Sequence, residues 1–174
     1  GSTFKVLVMA AGINENVVKA DTVCDNCSGP VKIDDFEVET WNKQYQKNLT
    51  MTDTIIHSDN TGMVFVGKKL GLDKLYDYIN KFGFGRLTKV DLQDEISPDL
   101  RSKKSWHNID IATATFGQGI AVTALQMVQA VSAIANNGVM MEPQIVKLIK
   151  SDEKSIEIKP KIVITGCMVG MAAR

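Results

Sequence analysis

The sequence predicts a mainly α-helical domain with peripheral β-hairpins. Apolar residues recur at helical spacing in several segments, whereas alternating segments are short and occur in pairs. No internal repeat, low-complexity segment or linker divides the chain. Its 174 residues, 44% of them hydrophobic and 23% charged, are enough for one domain with a substantial core. We therefore expect a single domain over residues 1–174.

The first half of the chain predicts a helix, a hairpin and a second helix. Residues 2–12 are apolar enough for a buried helix that starts near Ser2 and ends at Gly12. Residues 31–41 alternate on either side of an Asp-Asp pair, which predicts a hairpin. Residues 50–57 predict a short helix with a threonine cap.

Further helices are predicted on both sides of an irregular region. Small polar residues at 58–61 interrupt the pattern, after which 63–70 and 73–82 predict helices separated by Gly71. Residues 86–108 are polar and irregular. A capping box, Thr123 with Gln126, opens another helix. That helix runs through Leu125, Val128, Val131 and Ile134 and closes at Gly138. Residues 144–149 and 155–163 predict two strands joined by a turn.

The charge balance excludes a nucleic-acid-binding class. Lysine and arginine total 20, as do aspartate and glutamate, so the basic excess that phosphate backbones require is missing. No stretch reaches the ~18 apolar residues of a membrane span, and no leader precedes Gly1. We expect a soluble chain as given. Because an initiator methionine is missing, we expect the start to be either a cut inside a longer gene product or an artificial boundary.

Cys24 and Cys27 have the spacing of a ligand pair, Cys-Asp-Asn-Cys. A zinc site of this kind needs a second pair, and the sequence has three cysteines and two histidines. The pair is thus interpreted as an ordinary loop, a local disulfide or a metal ligand pair. The odd count leaves one thiol over, and the sequence predicts no cofactor.

Ser2 and Lys5 have the spacing of a nucleophile and its base. Three residues apart on a helix, they share one face. A lysine whose pKa is lowered can take the serine proton, and the helix N-terminus favours an oxyanion at the attacked carbonyl. Alone, S-x-x-K equally fits a helix cap followed by a surface lysine.

Ser58-Asp59-Asn60 is a second candidate motif at a break between helices. Its serine can relay a proton, while the asparagine amide can fix the lysine and hold a substrate amide. A capping serine with a turn asparagine is the simpler interpretation. S-x-x-K followed by S-D-N, however, is the signature of serine acyltransferases that react with β-lactams.

The blocks around these motifs resemble class B penicillin-binding proteins, the cell-elongation and division transpeptidases, rather than compact class A β-lactamases. The resemblance is collinear over about residues 1–163. It lies in Gly-Ser-Thr-Phe-Lys at 1–5, Ser-Gly-Pro-Val-Lys-Ile at 28–33, His-Ser-Asp-Asn-Thr-Gly-Met at 57–63, Phe-Gly-Phe-Gly-Arg-Leu-Thr at 82–88, Ala-Thr-Phe-Gly-Gln-Gly-Ile-Ala-Val-Thr-Ala-Leu-Gln at 114–126 and Ala-Ile-Ala-Asn-Asn-Gly-Val at 133–139.

The resemblance implies roles for individual residues. Ser2 is the expected acylated nucleophile, Lys5 its general base, and Ser58 and Asn60 the proton-relay and substrate-amide residues. The substrate-binding candidates are Asp59, Gly117, Gln118 and Gly119, the last three in a loop whose first role is structural. His57, Trp106 and His107 receive no catalytic role. The implied ligands are a peptidoglycan stem peptide and, covalently, β-lactams; the family is membrane-anchored and faces the cell wall.

Two departures from the family pattern shape the expected fold. The family's third motif, Lys-Thr-Gly or a close variant, follows the second hairpin; here Ile164-Thr165-Gly166 is the nearest match, and residues 164–174 are an unmatched tail. The strands that precede the reactive serine in the family do not precede Gly1. We therefore expect the helical lobe of the penicillin-binding and β-lactamase-like transpeptidase fold, with an incomplete central sheet. Self-association would then cover apolar faces.

Three functional hypotheses follow. The first is a serine acyl-transfer protein resembling a peptidoglycan D,D-transpeptidase, acting through an acyl-enzyme on Ser2. The second is a small serine hydrolase that cleaves activated esters. The third is a non-catalytic remnant that folds and self-associates, giving a homo-oligomer.

Overall fold

The computed structural model describes residues 1–166 in two compact units. One unit comprises residues 1–79 with 100–120, and the other comprises 80–99 with 121–166. The single domain expected over residues 1–174 stays a prediction. Residue 167 onward, including Cys167, lies outside the described residues. No helix in the described part of the chain is both long and apolar enough to cross a membrane.

The first helix of the first unit is the buried one that the sequence predicts. A 3₁₀ turn, Ser2–Phe4, leads directly into α1, Lys5–Asn14. The predicted end at Gly12 is wrong, because α1 continues for two more residues. Gly12 instead marks a close approach, since a Cβ there would lie 2.8 Å from the Val66 side chain. The glycine is required by packing rather than by helix termination.

The predicted hairpin and second helix are confirmed. Strands β1, Val31–Ile33, and β2, Phe36–Val38, pair antiparallel around a turn in which Asp34 has a φ of 52°. Helix α2, Met51–Ile56, begins with Thr50 as its N-cap in a reciprocal capping box with Asp53. The cap satisfies two backbone N–H groups that the helix itself cannot.

Two further helices complete the first unit. Helix α3, Asn60–Lys81, is interrupted at Gly71, whose φ of 74° and ψ of 165° are non-helical, so the two predicted helical segments are confirmed. Helix α4, Asn108–Ala114, is not predicted by the sequence analysis. It starts with a capping box between His107 and Asp110 and buries Ala112 and Ala114.

The second unit contains α5, Ala124–Ala135, capped by Thr123 and Gln126 as predicted. Its buried face differs from the apolar row in the sequence. The buried residues are Gln126, Gln129, Ala130 and Ala133, whereas Val128 is 61% exposed. Burial on this helix therefore does not follow side-chain hydrophobicity.

The strands of the second unit form two separate pairs. Strands β4, Leu148–Lys150, and β5, Ser155–Glu157, make the predicted hairpin. The single predicted strand over 155–163 is wrong, because its last part is a separate strand, β6, Ile162–Ile164. β6 pairs antiparallel with β3, Met140–Met141, which the sequence analysis did not predict. Only two-stranded sheets occur among residues 1–166.

Candidate active site

Ser2 and Lys5 lie one turn apart at the start of the first helical segment. Ser2 is exposed in the 3₁₀ turn, whereas Lys5, the first residue of α1, is only 2% exposed. Ser2 opens into a cavity of about 560 Å³, here called the Ser2 cavity. Its lining consists of Gly1, Ser2, Trp41, Ile56, His57, Ser58, Asn60, Phe116 and Gln118.

The side chain of Lys5 is held entirely by the second predicted motif. Its Nζ donates to the backbone oxygen of Ser58 at 2.6 Å, to Ser58 Oγ at 3.1 Å and to Asn60 Oδ1 at 2.8 Å. An ammonium group has three protons, and three acceptors receive them. Within residues 1–166 the Ser2 hydroxyl forms no hydrogen bond. The structure thus brings Lys5, Ser58 and Asn60 together beside an unengaged Ser2.

Burial disfavours the charged form of Lys5. It lowers the pKa of the ammonium group to about 8, well below that of an exposed lysine. The nearby negative charge of Asp59 acts in the opposite sense and raises this pKa. At pH 7 a group with such a pKa is neutral in roughly one molecule in ten. This fraction is far larger than for an exposed lysine, so a neutral amine is accessible near physiological pH.

The Ser58–Asn60 turn is fixed by the segment that follows β2. Ser58 has a φ of 52°, in the left-handed region, at the junction of α2 and α3. The indole Nε1 of Trp41 donates to the backbone oxygen of His57 at 3.2 Å, and Asn60 Nδ2 donates to the backbone oxygen of Glu39 at 2.9 Å. These two bonds tie the turn to residues 39–41, the segment directly after β2.

Asp59 is engaged within the protein. It is 4% exposed, and its Oδ1 accepts from Thr61 Oγ1 at 2.6 Å and from the Gly62 N–H at 2.9 Å. It therefore satisfies a donor in the first turn of α3. Asp59 does not line the Ser2 cavity but a separate cavity of about 320 Å³. Its predicted part in substrate binding stays a prediction.

The Gly117-Gln118-Gly119 loop reaches the Ser2 cavity through Gln118 alone. Gly117 has a φ of 76°, and a Cβ there would collide with the backbone oxygen of Gly1. Its own carbonyl accepts from the Gly1 amino group at 2.8 Å. Gly119, with a φ of 74°, does not line the cavity. The first role expected for this loop, a structural one, agrees with these contacts, while substrate binding stays a prediction.

Sequence reasoning missed the apolar part of the cavity. Trp41 is 73% exposed, and Ile56 is also exposed, yet both line the cavity together with buried Phe116. The one available signal was the tryptophan at the end of the predicted hairpin over 31–41. His57, which receives no catalytic role from the sequence, is an exposed residue of the same lining.

The Cys24–Cys27 pair forms a disulfide, one of the three interpretations left open by the sequence. The Cys24 N–H donates to the backbone oxygen of Leu49 at 2.8 Å, which ties the disulfide loop to the segment leading into α2. No cluster of three or more histidine, cysteine or carboxylate side chains suited to a metal ion occurs in the described part of the chain.

Comparison with known proteins identifies the family. A family model described as the penicillin binding protein transpeptidase domain matches residues 1–165. Stage V sporulation protein D of Bacillus subtilis is 38% identical over 149 residues, covering 84% of this chain and 23% of that protein. Penicillin-binding protein PbpB of Mycobacterium tuberculosis is 28% identical over 161 residues, covering 92% of this chain and 24% of that protein. The chain thus spans about a quarter of the length of these curated relatives.

Solved structures agree in fold. Penicillin binding protein 3 of Mycobacterium tuberculosis, complexed with ampicillin, matches with a TM-score of 0.86 and 27% identity. The match covers 94% of this chain and 36% of that one. The predicted fold, a helix-rich part of the transpeptidase fold with small sheet fragments, is therefore confirmed.

Proposed function

The chain belongs to the penicillin-binding protein transpeptidase domain family, and we propose that its site performs serine acyl transfer through Ser2. One observation carries the proposal: buried Lys5 is hydrogen-bonded to Ser58 and Asn60 and lies one turn from exposed Ser2. Curated relatives include peptidoglycan D,D-transpeptidases. Their chemistry requires an activated serine, and this arrangement supports one.

Acylation begins when Lys5 loses a proton to solvent. The neutral amine then accepts the hydroxyl proton of Ser2, whose Oγ forms a bond to the carbonyl carbon of the substrate. Negative charge develops on the carbonyl oxygen. The backbone N–H groups of Ser2 and Thr3, at the positive end of the helical segment, supply stabilisation for that charge.

Collapse of the tetrahedral intermediate breaks the carbon–nitrogen bond of the substrate. We assign Ser58 the transfer of a proton to the leaving nitrogen, with Lys5 replacing the proton on Ser58 Oγ. Asn60 holds Lys5 through Oδ1 and uses one Nδ2 proton for Glu39. We assign its second Nδ2 proton to a substrate amide oxygen.

The proposed acyl donors are a peptidoglycan stem peptide and, as covalent ligands, β-lactams. In a β-lactam the scissile amide belongs to a ring, so the leaving nitrogen stays attached to the acyl group. It cannot diffuse away, and the acyl-enzyme is expected to accumulate. The ampicillin and aztreonam complexes of the M. tuberculosis relative support this ligand class.

A fluorescent penicillin tests the proposal directly. We expect one label per chain, seen by mass spectrometry as a single penicillin adduct, and no label in Ser2→Ala. Thr3→Ala is the matched control, because Thr3 is the adjacent exposed hydroxyl; it should label like the wild type. Equal labelling of Ser2→Ala would show that another residue is acylated.

Ester hydrolysis is a second candidate, supported by the exposure of Ser2, which lets water reach an acyl-enzyme. We expect slow turnover of a short-chain nitrophenyl ester that Ser2→Ala abolishes. If neither penicillin nor ester reacts with a folded chain, the non-catalytic alternative replaces both.

Self-association is proposed from the exposed apolar residues of β4 and β5. A mass by light scattering that stays monomeric at all concentrations would reject it.

A further inference from the structure

Another cavity lies in the first unit, separate from the Ser2 cavity and from the cavity that Asp59 lines. Its volume is about 360 Å³, within the range of small-molecule sites. The two linings share no residue. Its walls are β1 with the following turn, the middle of α3, and α4. Three elements that are distant in sequence thus enclose one concave surface.

The floor of this cavity is apolar. It is formed by Ile33, Val64, Leu72, Ile111 and Ala112. Gly71 leaves the α3 wall without a side chain, and the space around a Cβ there is open. Gly67, which also lines the cavity, is instead required by close packing against the Thr115 side chain. A hydrocarbon or aromatic body could displace water from this floor, which favours binding by about 25 cal/mol for each Å² of apolar surface covered.

Positive charge is concentrated at the rim. Lys32 of β1 and Lys68 of α3 both line the cavity, and neither forms an ion pair with another described residue. Asp34, the one carboxylate of the lining, accepts a hydrogen bond from Asn108 Nδ2 at 3.1 Å. The rim therefore carries two lysines and a single carboxylate, so positive charge is in excess there.

We propose that this cavity binds a small amphiphilic carboxylate, with its apolar body on the floor and its carboxylate between Lys32 and Lys68. An uncharged ligand would form no ion pair with either ammonium group. A cationic one would be repelled by them. The cavity is also too small for a folded partner segment, which favours a ligand of few heavy atoms.

Octanoate is a suitable probe, titrated into the full chain and followed by amide chemical shifts. We expect saturable shifts in β1, α3 and α4 with a Kd on the order of 1 mM. Octylamine, of the same length and opposite charge, should bind more weakly. Octanoate that fails to saturate up to about 10 mM, or shifts centred on Ser2, would overturn the proposal.

Charge reversal on neighbouring residues provides the matched control. Lys68→Glu should weaken octanoate binding by about fivefold or more. Lys69→Glu makes the same charge change one residue away, where Lys69 lies over the Phe65 ring and outside the cavity; it should bind like the wild type. Equal weakening by both variants would overturn the assignment. No arm of this experiment uses penicillin, so its failure and that of acyl transfer are distinguishable.

Discussion

Buried polar side chains have different roles in the two compact units. In the first unit, Lys5 is buried one turn from exposed Ser2, and its burial lowers the pKa of its ammonium group. In the second unit, buried Gln126 and Gln129 of α5 bond to backbone and side-chain oxygens and connect segments. A buried charge near a cavity indicates chemistry, whereas a buried amide with all its partners indicates architecture.

The largest effect, on the rate of acylation, is expected from replacing the buried lysine of the first unit. Replacing Lys5 by alanine removes the proposed base, and we expect penicillin acylation to slow by ~10²–10⁴-fold. In the wild type the rate should rise with pH and level off above about 8, because the neutral amine is the reactive form. Stopped-flow labelling over a pH series measures both. A rate for Lys5→Ala equal to that of the wild type would contradict the assignment.

The next effect concerns the amides of the second unit. Gln126 Nε2 donates to the Arg86 backbone oxygen at 2.7 Å and to Ser97 Oγ at 3.0 Å, and its Oε1 accepts from the Thr123 N–H at 2.9 Å. Gln126→Leu leaves these partners unsatisfied. The free energy of unfolding should fall by about 2 kcal/mol, measured by urea denaturation. An unchanged value would mean that water replaces the side chain.

A smaller effect, on the pH profile of acylation, is expected when Asp59 loses its charge but keeps its shape. Asp59→Asn keeps an oxygen acceptor for Thr61 and Gly62 but removes the negative charge that raises the Lys5 pKa. The pKa of Lys5 should then fall further, and the pH profile of acylation should move to lower pH. Stability should change less than in Gln126→Leu. A profile that moves to higher pH, or does not move, would contradict the inferred interaction.

The smallest effect is expected on the exposed face of α5. Val128→Gln places an amide where the sequence has an apolar side chain, at a position that is 61% exposed. The free energy of unfolding should change by at most about 0.5 kcal/mol. Together with Gln126→Leu, this variant swaps polarity in opposite directions on one helix. A loss of 2 kcal/mol or more would show that Val128 is covered in solution.

Two of the three helices that begin with capping boxes were predictable, because a cap is a local interaction. Thr50 with Asp53 and Thr123 with Gln126 fixed two starts within one residue. The grouping of Lys5 with Ser58 and Asn60, one turn from Ser2, was predictable from motifs, while the catalytic role of Ser2 stays a prediction. The His107–Asp110 box that opens α4 used a histidine cap, which is not among the favoured N-cap residues, and was missed.

Long-range features were not predictable from local patterns. The apolar row on α5 indicated one buried face, but the surrounding segments offer hydrogen-bond partners to Gln126 and Gln129 on the other. The pairing of β6 with β3 joins residues more than 20 positions apart. The place of Trp41 in the Ser2 cavity depends on its bond to the His57 carbonyl. Each depends on tertiary contacts, which periodicity does not encode.

The three hydrogen bonds donated by Lys5 have a kinetic consequence. A nitrogen that gives all three protons to Ser58 and Asn60 has no lone pair for Ser2, so a proton must leave before the chemical step begins. That loss is a rapid pre-equilibrium with solvent. Acylation should therefore follow the neutral fraction of Lys5: its rate should rise with pH up to about 8 but should not depend on buffer concentration at fixed pH.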